Sequence, residues 1–235
     1  MQSSRIVSQE EWTAARRVLL AKEKAHMRAG DALAEERRAL PWMKIEKPYA
    51  FDTEQGRKTL AELFGDHPQL IVHHLMFAPE WDAACPGCSF QAEHIDGPTP
   101  HLEHHNTGIV AVSRAPLAKL LAYRERMGWR FPWVSSFGSD FNRDFHVTFT
   151  PEEVAAKRTD YNYAESGFPM EEAPGISVFA KAADGTVFHT YSCYARGLDM
   201  LNGAYHLLDL TPKGRDEDEL AHHMSWVRHH DRYED

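Results

Sequence analysis

Leu70-Ile71-Val72-His73-His74-Leu75-Met76-Phe77, followed after a short loop by Cys85-Pro86-Gly87-Cys88, is the stretch on which the reading of the whole chain turns. The apolar run reads as a buried strand, and the residues after Cys88 suit a helix. This order delivers two thiols to a helix start, where unpaired backbone N–H groups and the helix dipole favour a thiolate. Two cysteines at this spacing can close a disulfide, and the first can attack a disulfide elsewhere. In a chain with three cysteines in all, the pair reads as redox chemistry before it reads as a staple.

Bulk composition narrows the rest. Hydrophobic residues at 43% and charged residues at 26% are those of an ordinary globular protein. A net charge of -9 excludes a nucleic-acid partner held by counterion release. Met1-Gln2-Ser3-Ser4-Arg5 lacks the apolar core of an export signal, and no run approaches the length of a membrane span. The expectation is a cytoplasmic protein without a membrane partner, and homo-oligomer formation stays open. Fifteen histidines are the compositional oddity, and most fall in surface-like contexts.

Working outward, Ser8-Gln9-Glu10-Glu11 has the form of a capping box before Trp12, Ala15 and Leu19 at helical spacing. That helix is expected to stop at Gly30, with a second, charged one over residues 31–40 and an extended stretch over 41–51. From residue 63 the pattern turns α/β. Residues 70–77 form a strand, and 89–106 contain a helix interrupted at Gly97-Pro98. Residues 108–112 form a second, continuously apolar strand of the buried parallel kind. A helix begins at Pro116, and residues 131–136 make a third strand. Residues 176–180 and 186–191 flank Ala183-Asp184-Gly185, a hairpin signal. The tail over residues 217–228 reads as helical. No repeat or domain-separating linker interrupts this order.

Strand, dithiol, helix, strand, helix and then a hairpin is the thioredoxin order. It predicts an α/β thioredoxin-like fold: a mixed central sheet flanked by helices, plus an N-terminal helical extension. The expected division is 1–62 as the extension packed on the core and 63–235 as the thioredoxin-like domain, one structural unit overall.

The chain resembles a family of uncharacterised thioredoxin-like bacterial proteins, sometimes labelled predicted dithiol-disulfide oxidoreductases. The resemblance rests on Arg37-Arg38-Ala39-Leu40-Pro41-Trp42, Cys85-Pro86-Gly87-Cys88-Ser89, Val112-Ser113-Arg114-Ala115-Pro116 and Met127-Gly128-Trp129. It continues in Trp133-Val134-Ser135-Ser136, Asp140-Phe141-Asn142, Phe188-His189-Thr190-Tyr191-Ser192 and Tyr194-Ala195-Arg196-Gly197. These stretches span nearly the whole chain and imply one domain. A more distant resemblance is to peroxiredoxins, through Phe77-Ala78-Pro79 before Cys85-Pro86 and Phe131-Pro132 before Ser135. Peroxiredoxins carry a Thr or Ser three residues before the reactive cysteine. Here that position is Asp82, which supplies no hydroxyl to orient a peroxide.

The expected chemistry is thiol–disulfide exchange with Cys85 as nucleophile and Cys88 as resolving thiol, acting on a protein or small-molecule thiol or disulfide without a cofactor. Two alternatives stay open: a thiol peroxidase of peroxiredoxin-like type, and a thioredoxin-fold binding protein whose dithiol is inert or holds a metal. A four-cysteine zinc ribbon lacks its second pair, since Cys193 adds only one sulfur, and no metal site is assigned. Cys193 itself reads as a small buried residue. Trp81 and Trp129 either line a substrate groove or belong to the core. Arg114 and Arg196, each at a strand end, either bind substrate or form salt bridges. His101, His104 and His105 share a helical face, and His222, His223, His229 and His230 flank Trp226. Both groups read as solvated. Pro174, before Gly175-Ile176, stands where thioredoxins carry a cis-proline opposite the dithiol.

Overall fold

In the computed structural model, which describes residues 5–233, the chain divides into two compact units between Pro41 and Trp42. Residues 1–4, read above for an export signal, lie outside the described residues. The first unit is one helix, α1 (Gln9–Arg38). Its capping box forms as expected: the Ser8 hydroxyl accepts from the Glu11 N–H, and the Glu11 carboxylate accepts from the Ser8 N–H. Glu10 and Glu11 in the first turn and Arg37 and Arg38 in the last complement the dipole. Gly30 does not stop the helix. A glycine costs a helix interior about 1 kcal/mol, and the alanines, glutamates and arginines after it are strong helix formers, so the two expected helices are one.

The second unit begins with β1 (Met43–Lys44), β2 (Ala50–Thr53), β3 (Gly56–Thr59) and the single turn α2 (Leu60–Leu63). There follow β4 (Gln69–His74), α3 (Pro86–Asp96), α4 (Thr99–His104), β5 (Thr107–Ser113), α5 (Leu117–Met127) and β6 (Trp133–Ser135). Then come α6 (Phe141–Asp144), α7 (Pro151–Ala155), the small hairpin β7 (Thr159–Tyr161) and β8 (Ala164–Ser166), and the long hairpin β9 (Gly175–Lys181) and β10 (Val187–Tyr194). A 3₁₀ helix (Ala195–Leu201), α8 (Gly203–Leu208), a run of turns and a second 3₁₀ turn (His230–Arg232) close the described chain.

One eight-stranded sheet carries the order β1-β10-β9-β4-β5-β6-β2-β3. β4 is flanked by β5 in parallel, from Gln69 opposite Thr107 to His74 opposite Val112. On its other side β9 runs antiparallel, ending with His74 opposite Gly175. A central strand parallel to one neighbour, antiparallel to a following hairpin, and delivering its C-terminal end to a dithiol is the thioredoxin-like fold. Among the described residues no helix is long and apolar enough to cross a membrane.

Residues 41–51 are extended as expected and hold β1 and the start of β2, whereas β3 at 56–59 places a strand in the part of the 1–62 extension expected to be helical. β1 pairs with β10, and β2 joins β6 where Asp52 faces Ser135, so the stretch over 42–62 supplies both sheet edges. Its strands are too short and too charged to show a clear alternation. The β2–β3 turn is closed by the Thr53 hydroxyl donating to the Gly56 carbonyl at 2.6 Å. The tail departs too: residues 217–228 form turns rather than a helix, for a reason given with the site.

Both sheet faces are buried, as a largely parallel centre requires. Leu75, Phe77, Ala111, Leu120, Tyr123 and Trp133 fill the space toward α3 and α5. Leu70, Val72, Val112, Phe141, Phe145 and Phe179 fill the opposite side. Gly128 ends α5 in the left-handed region at φ 66°, where a side chain would be strained.

His73 and His74 are among the buried core residues, as their place in the apolar run at 70–77 predicts. The pleat sends them to opposite faces. His73 Nε2 lies 3.4 Å from Gln91 Oε1 on α3. His74 Nε2 lies 2.8 Å from Ser177 Oγ, and the chain continues from Ser177 Oγ to Ser192 Oγ at 2.8 Å and from there to His189 Nε2 at 2.7 Å. Burial lowers the His73 pKa to about 4 and, with His73 and His189 adding to it, the His74 pKa to about 3. The unfolded chain therefore takes up protons near pH 6.5 that the folded chain refuses until about pH 4. Stability present above pH 6.5 is lost as pH falls, by on the order of 3 kcal/mol for each such shift. Urea midpoints should fall steadily from pH 6.5 to pH 4. His74→Gln, which keeps a polar group toward Ser177 but cannot titrate, should show a shallower fall.

Candidate functional site

Beyond β4 the chain keeps its place by single backbone bonds: the Leu75 N–H donates to Val112 O, and the Ala115 N–H to Phe77 O. Residues 78–84 then loop out and return, and the Cys85 N–H donates to Met76 O at 3.0 Å. Lys119 on α5 holds this loop from outside, donating to the carbonyls of Pro79 and Trp81 at 2.8 and 2.6 Å. Cys85 is the N-cap of α3, with extended backbone and Pro86 as the first helical residue. Its carbonyl accepts from the Ser89 N–H at 2.9 Å. The position is one that usually carries Ser or Asp, whose side chain satisfies the free N–H groups of the first turn.

No bond joins the two cysteines, which lie 4.0 Å apart. Cys85 is half-buried, whereas Cys88, one turn into the helix, is buried. The Cys88 thiol, and then the backbone N–H groups of Cys88 and Gly87, favour the Cys85 thiolate and outweigh its burial, lowering its pKa to about 7. Cys88 moves the other way: the neighbouring Cys85, burial and the charge of Glu172 raise it well above the ordinary thiol value. The pair is thus divided into an accessible thiolate and a buried protonated thiol.

Glu172 is a buried carboxyl that the sequence reading did not single out. It lies just before β9 and is 2% exposed. Arg114 Nη1, at the end of β5, stands 3.0 Å from Glu172 Oε1, and the Thr148 hydroxyl donates to Oε2 at 3.2 Å. Burial outweighs both and raises the carboxyl to about 7. Two acidic residues side by side, Glu171 and Glu172, carry no sequence signal for which one faces inward. The isolated bridge between Thr148 and Glu172 decides it.

The other expected site residues separate. Trp81 is half-buried against the same core cluster as Cys85 and Cys88. Trp129 belongs to that cluster's interior, its indole N–H donating to Glu93 at 3.1 Å, so it supports the site from beneath. Arg114 pairs with the buried Glu172. Arg196 lies on the 3₁₀ helix after β10, largely exposed and paired with Asp199 at 2.9 Å. Asp82 is exposed. Cys193 is buried in β10, opposite Ile176. Among the described residues no cis peptide occurs, Pro174 included, and no group of three or more His, Cys, Asp or Glu side chains is arranged to hold a metal.

In the histidine-rich tail His222, His223 and His230 are exposed, as expected of a solvated face, and His229 is half-buried. Glu217 anchors the tail, accepting from the Tyr205 hydroxyl at 2.6 Å, the Trp226 indole at 2.7 Å and the Met224 N–H at 3.0 Å. These bonds, with Met224 at φ 64°, replace the helix expected there. His229 Nε2 reaches the carbonyl of Ala84 at 2.9 Å, and His230 Nδ1 lies 2.6 Å from Glu93. Met224 packs over Gly87: a Cβ built there would stand 3.4 Å from the Met224 methyl carbon and 3.8 Å from Cys85 Sγ.

Fold and site define a thioredoxin-like protein with an asymmetric dithiol at a strand-to-helix junction. Within that class the chain belongs to the family described as a bacterial protein of unknown function (DUF899), which matches residues 1–233. No curated protein matches it in sequence. Similar solved structures include the peroxidoxin BcpB of Mycobacterium tuberculosis, 15% identical, covering 70% of this chain and 94% of that one with a TM-score of 0.47. The bacterioferritin comigratory protein of Xanthomonas campestris, studied for alkyl peroxide reduction, is 16% identical over 66% of this chain and 88% of its own, with a TM-score of 0.42.

Because Glu172 holds its proton to about pH 7 when folded and to 4.5 ordinarily, its contribution to stability is complete below pH 4.5 and is lost as pH rises through 7. Glu172→Gln should therefore gain on the native chain across that interval, by on the order of 1–3 kcal/mol. Paired denaturation curves at pH 4.5 and pH 8 measure the difference, which is opposite in sign to the histidine effect.

Proposed function

We propose that this protein is a thiol–disulfide oxidoreductase, with Cys85 as nucleophile and Cys88 as resolving thiol. The observation that carries this reading is the placement of two sulfurs 4.0 Å apart, Cys85 half-buried at the start of α3 and Cys88 buried one turn in, an arrangement that lowers the Cys85 pKa to about 7 and raises that of Cys88. Near neutral pH a thiol of this pKa combines a substantial thiolate fraction with good nucleophilicity. Cys85 attacks a substrate disulfide, forming a mixed disulfide and expelling one thiolate. Cys88 then attacks the Cys85 sulfur, which requires it to lose its proton. Glu172, whose charge acts on Cys88 and whose carboxyl changes state near pH 7, is the acceptor we assign for that proton. Arg114 positions Glu172 rather than touching substrate. Trp81 and the loop held by Lys119 flank the thiolate side.

Cys88→Ser should accumulate mixed disulfides and Cys85→Ser none, as read by mass spectrometry after exposure to a disulfide. Mild oxidation of the native chain should give a Cys85–Cys88 bond with a potential of about -200 to -270 mV. Trapping by Cys85→Ser alone would reverse the assignment. The absence of any bond between the two would end the exchange reading.

Reaction of Cys85 with hydrogen peroxide should be slow, near that of an ordinary thiolate, because the exposed Asp82 offers no hydroxyl to the peroxide oxygen. Stopped-flow rates of a dedicated peroxidase would replace exchange with peroxide reduction.

A further inference from the structure

Beside the dithiol, the backbone positions that a partner polypeptide would pair with are already taken. The Cys85 N–H is bonded to Met76 O, and the Ala84 carbonyl accepts from His229. Strand-like docking of a protein substrate depends on such groups being open. The space over Gly87 is filled as well, by the tip of Met224. The Met224 sulfur and Cys85 Sγ each stand 3.8 Å from the point where a Gly87 Cβ would lie. A Cβ at position 87 would lie in van der Waals contact with the tip of Met224.

On its far side, Met224 lines a cleft of about 720 Å³, together with Gln91 of α3, Pro174 and Asn202. That volume is in the range of small-molecule sites. Asn202 is 1% exposed, and its Oδ1 has no hydrogen-bond partner. A buried acceptor left open in this way costs free energy that a donor on a ligand would recover. The cleft's arginines are committed, Arg215 to Asp209 and Arg196 to Asp199, both at 2.9 Å. Asp218, also in the lining, makes no ion pair among the described residues. The uncompensated charge is therefore negative, and the open buried group is an acceptor. Both ask for a cationic N–H donor.

We propose that this cleft binds a low-molecular-weight disulfide bearing an ammonium group, and that Met224 is the gate through which its sulfur reaches Cys85. The proposal rests on Cys85 and Cys88 being an exchange dithiol and names the substrate class of that site. Methionine suits a gate: its unbranched chain swings aside by side-chain rotation, while its backbone stays pinned to Glu217. The reaction balances. The Cys85 thiolate attacks one sulfur of R–S–S–R, the S–S bond breaks, and one RS⁻ leaves and takes a proton from water. Cys88, its proton passing to Glu172, attacks the Cys85 sulfur and expels the second RS⁻, which takes up a proton in turn. The substrate gains two electrons and becomes two RSH, and the chain loses two and holds the Cys85–Cys88 disulfide.

The test is single-turnover oxidation of the full-length reduced chain by cystamine, by dithiodipropionate and by insulin. The two small-disulfide rates are divided by those of free dithiothreitol, to remove leaving-group differences. Cystamine should be favoured over dithiodipropionate by about tenfold, a gap that added salt narrows. Asp218→Lys, an exposed change, should collapse that ratio. Met224→Phe should slow cystamine severalfold without changing the pH dependence of Cys85 alkylation, whereas Met224→Ala should not slow it. Insulin should react more slowly than cystamine. Equal normalised rates for the two small disulfides, insulin reduced as fast as cystamine, or indifference to Met224→Phe would overturn the cleft assignment and leave exchange standing. Failure of every disulfide to oxidise Cys85 and Cys88 would instead overturn the exchange reading beneath it.

Discussion

The central strand β4 is hydrogen-bonded along both edges, to β5 and to β9, and is packed on both faces. Nothing in it can shift without breaking two ladders, so its C-terminal end is a fixed point. The bonds from Cys85 to Met76 and from Ala115 to Phe77 carry that rigidity over the loop and set where α3 begins. The reactive sulfur is thereby placed at a helix start whose N–H groups have no other acceptor. A site held on rigid elements keeps the small geometric tolerances that exchange between two sulfurs requires.

At that fixed point the two cysteines differ by environment alone. One helical turn moves Cys88 from the rim into the core, where burial and the Glu172 charge oppose ionisation, while Cys85 keeps the donors of the first turn. Glu172 belongs to this balance and also strains it. A buried carboxyl paired to a single arginine at 3.0 Å does not recover its full desolvation cost, which is why its proton is held to near neutrality. The same feature weakens the fold at high pH and underlies the proton-accepting role proposed for the group.

The tail closes the site by a different logic. It has little regular structure, and its order comes from a carboxylate hub at Glu217 and from histidine contacts to the dithiol loop and to α3. A hub of charge-assisted bonds fixes backbone shape without a helix, and it lets Met224 take a left-handed conformation that its own preferences disfavour. The dithiol is therefore bordered by β4, α3 and a segment distant in sequence.

The centre of the fold was legible because buried strands must be apolar and helices must be punctuated. The run at 70–77, the continuous β5, the glycine-closed hairpin β9–β10 and the dithiol between strand and helix each announce themselves locally. The capping box of α1 was equally local. Gly30 misled because a glycine's propensity is a small penalty that a long run of strong helix formers overrides. Residues 52–62 and the tail misled because short edge strands and hub-pinned turns take their shape from partners elsewhere in the chain. At the site, the Cys85–Cys88 pair was legible from its spacing together with the strand before it and the helix after it. That Arg114 pairs with Glu172 and Arg196 with Asp199, which groups His73 and His74 meet in the core, and the contacts of Glu172, His229 and Met224 were not. All but the Arg196 pair depend on pairing between residues far apart in sequence, and only the tertiary structure decides such pairings, because burial and hydrogen bonding are properties of the assembled neighbourhood and not of the residue.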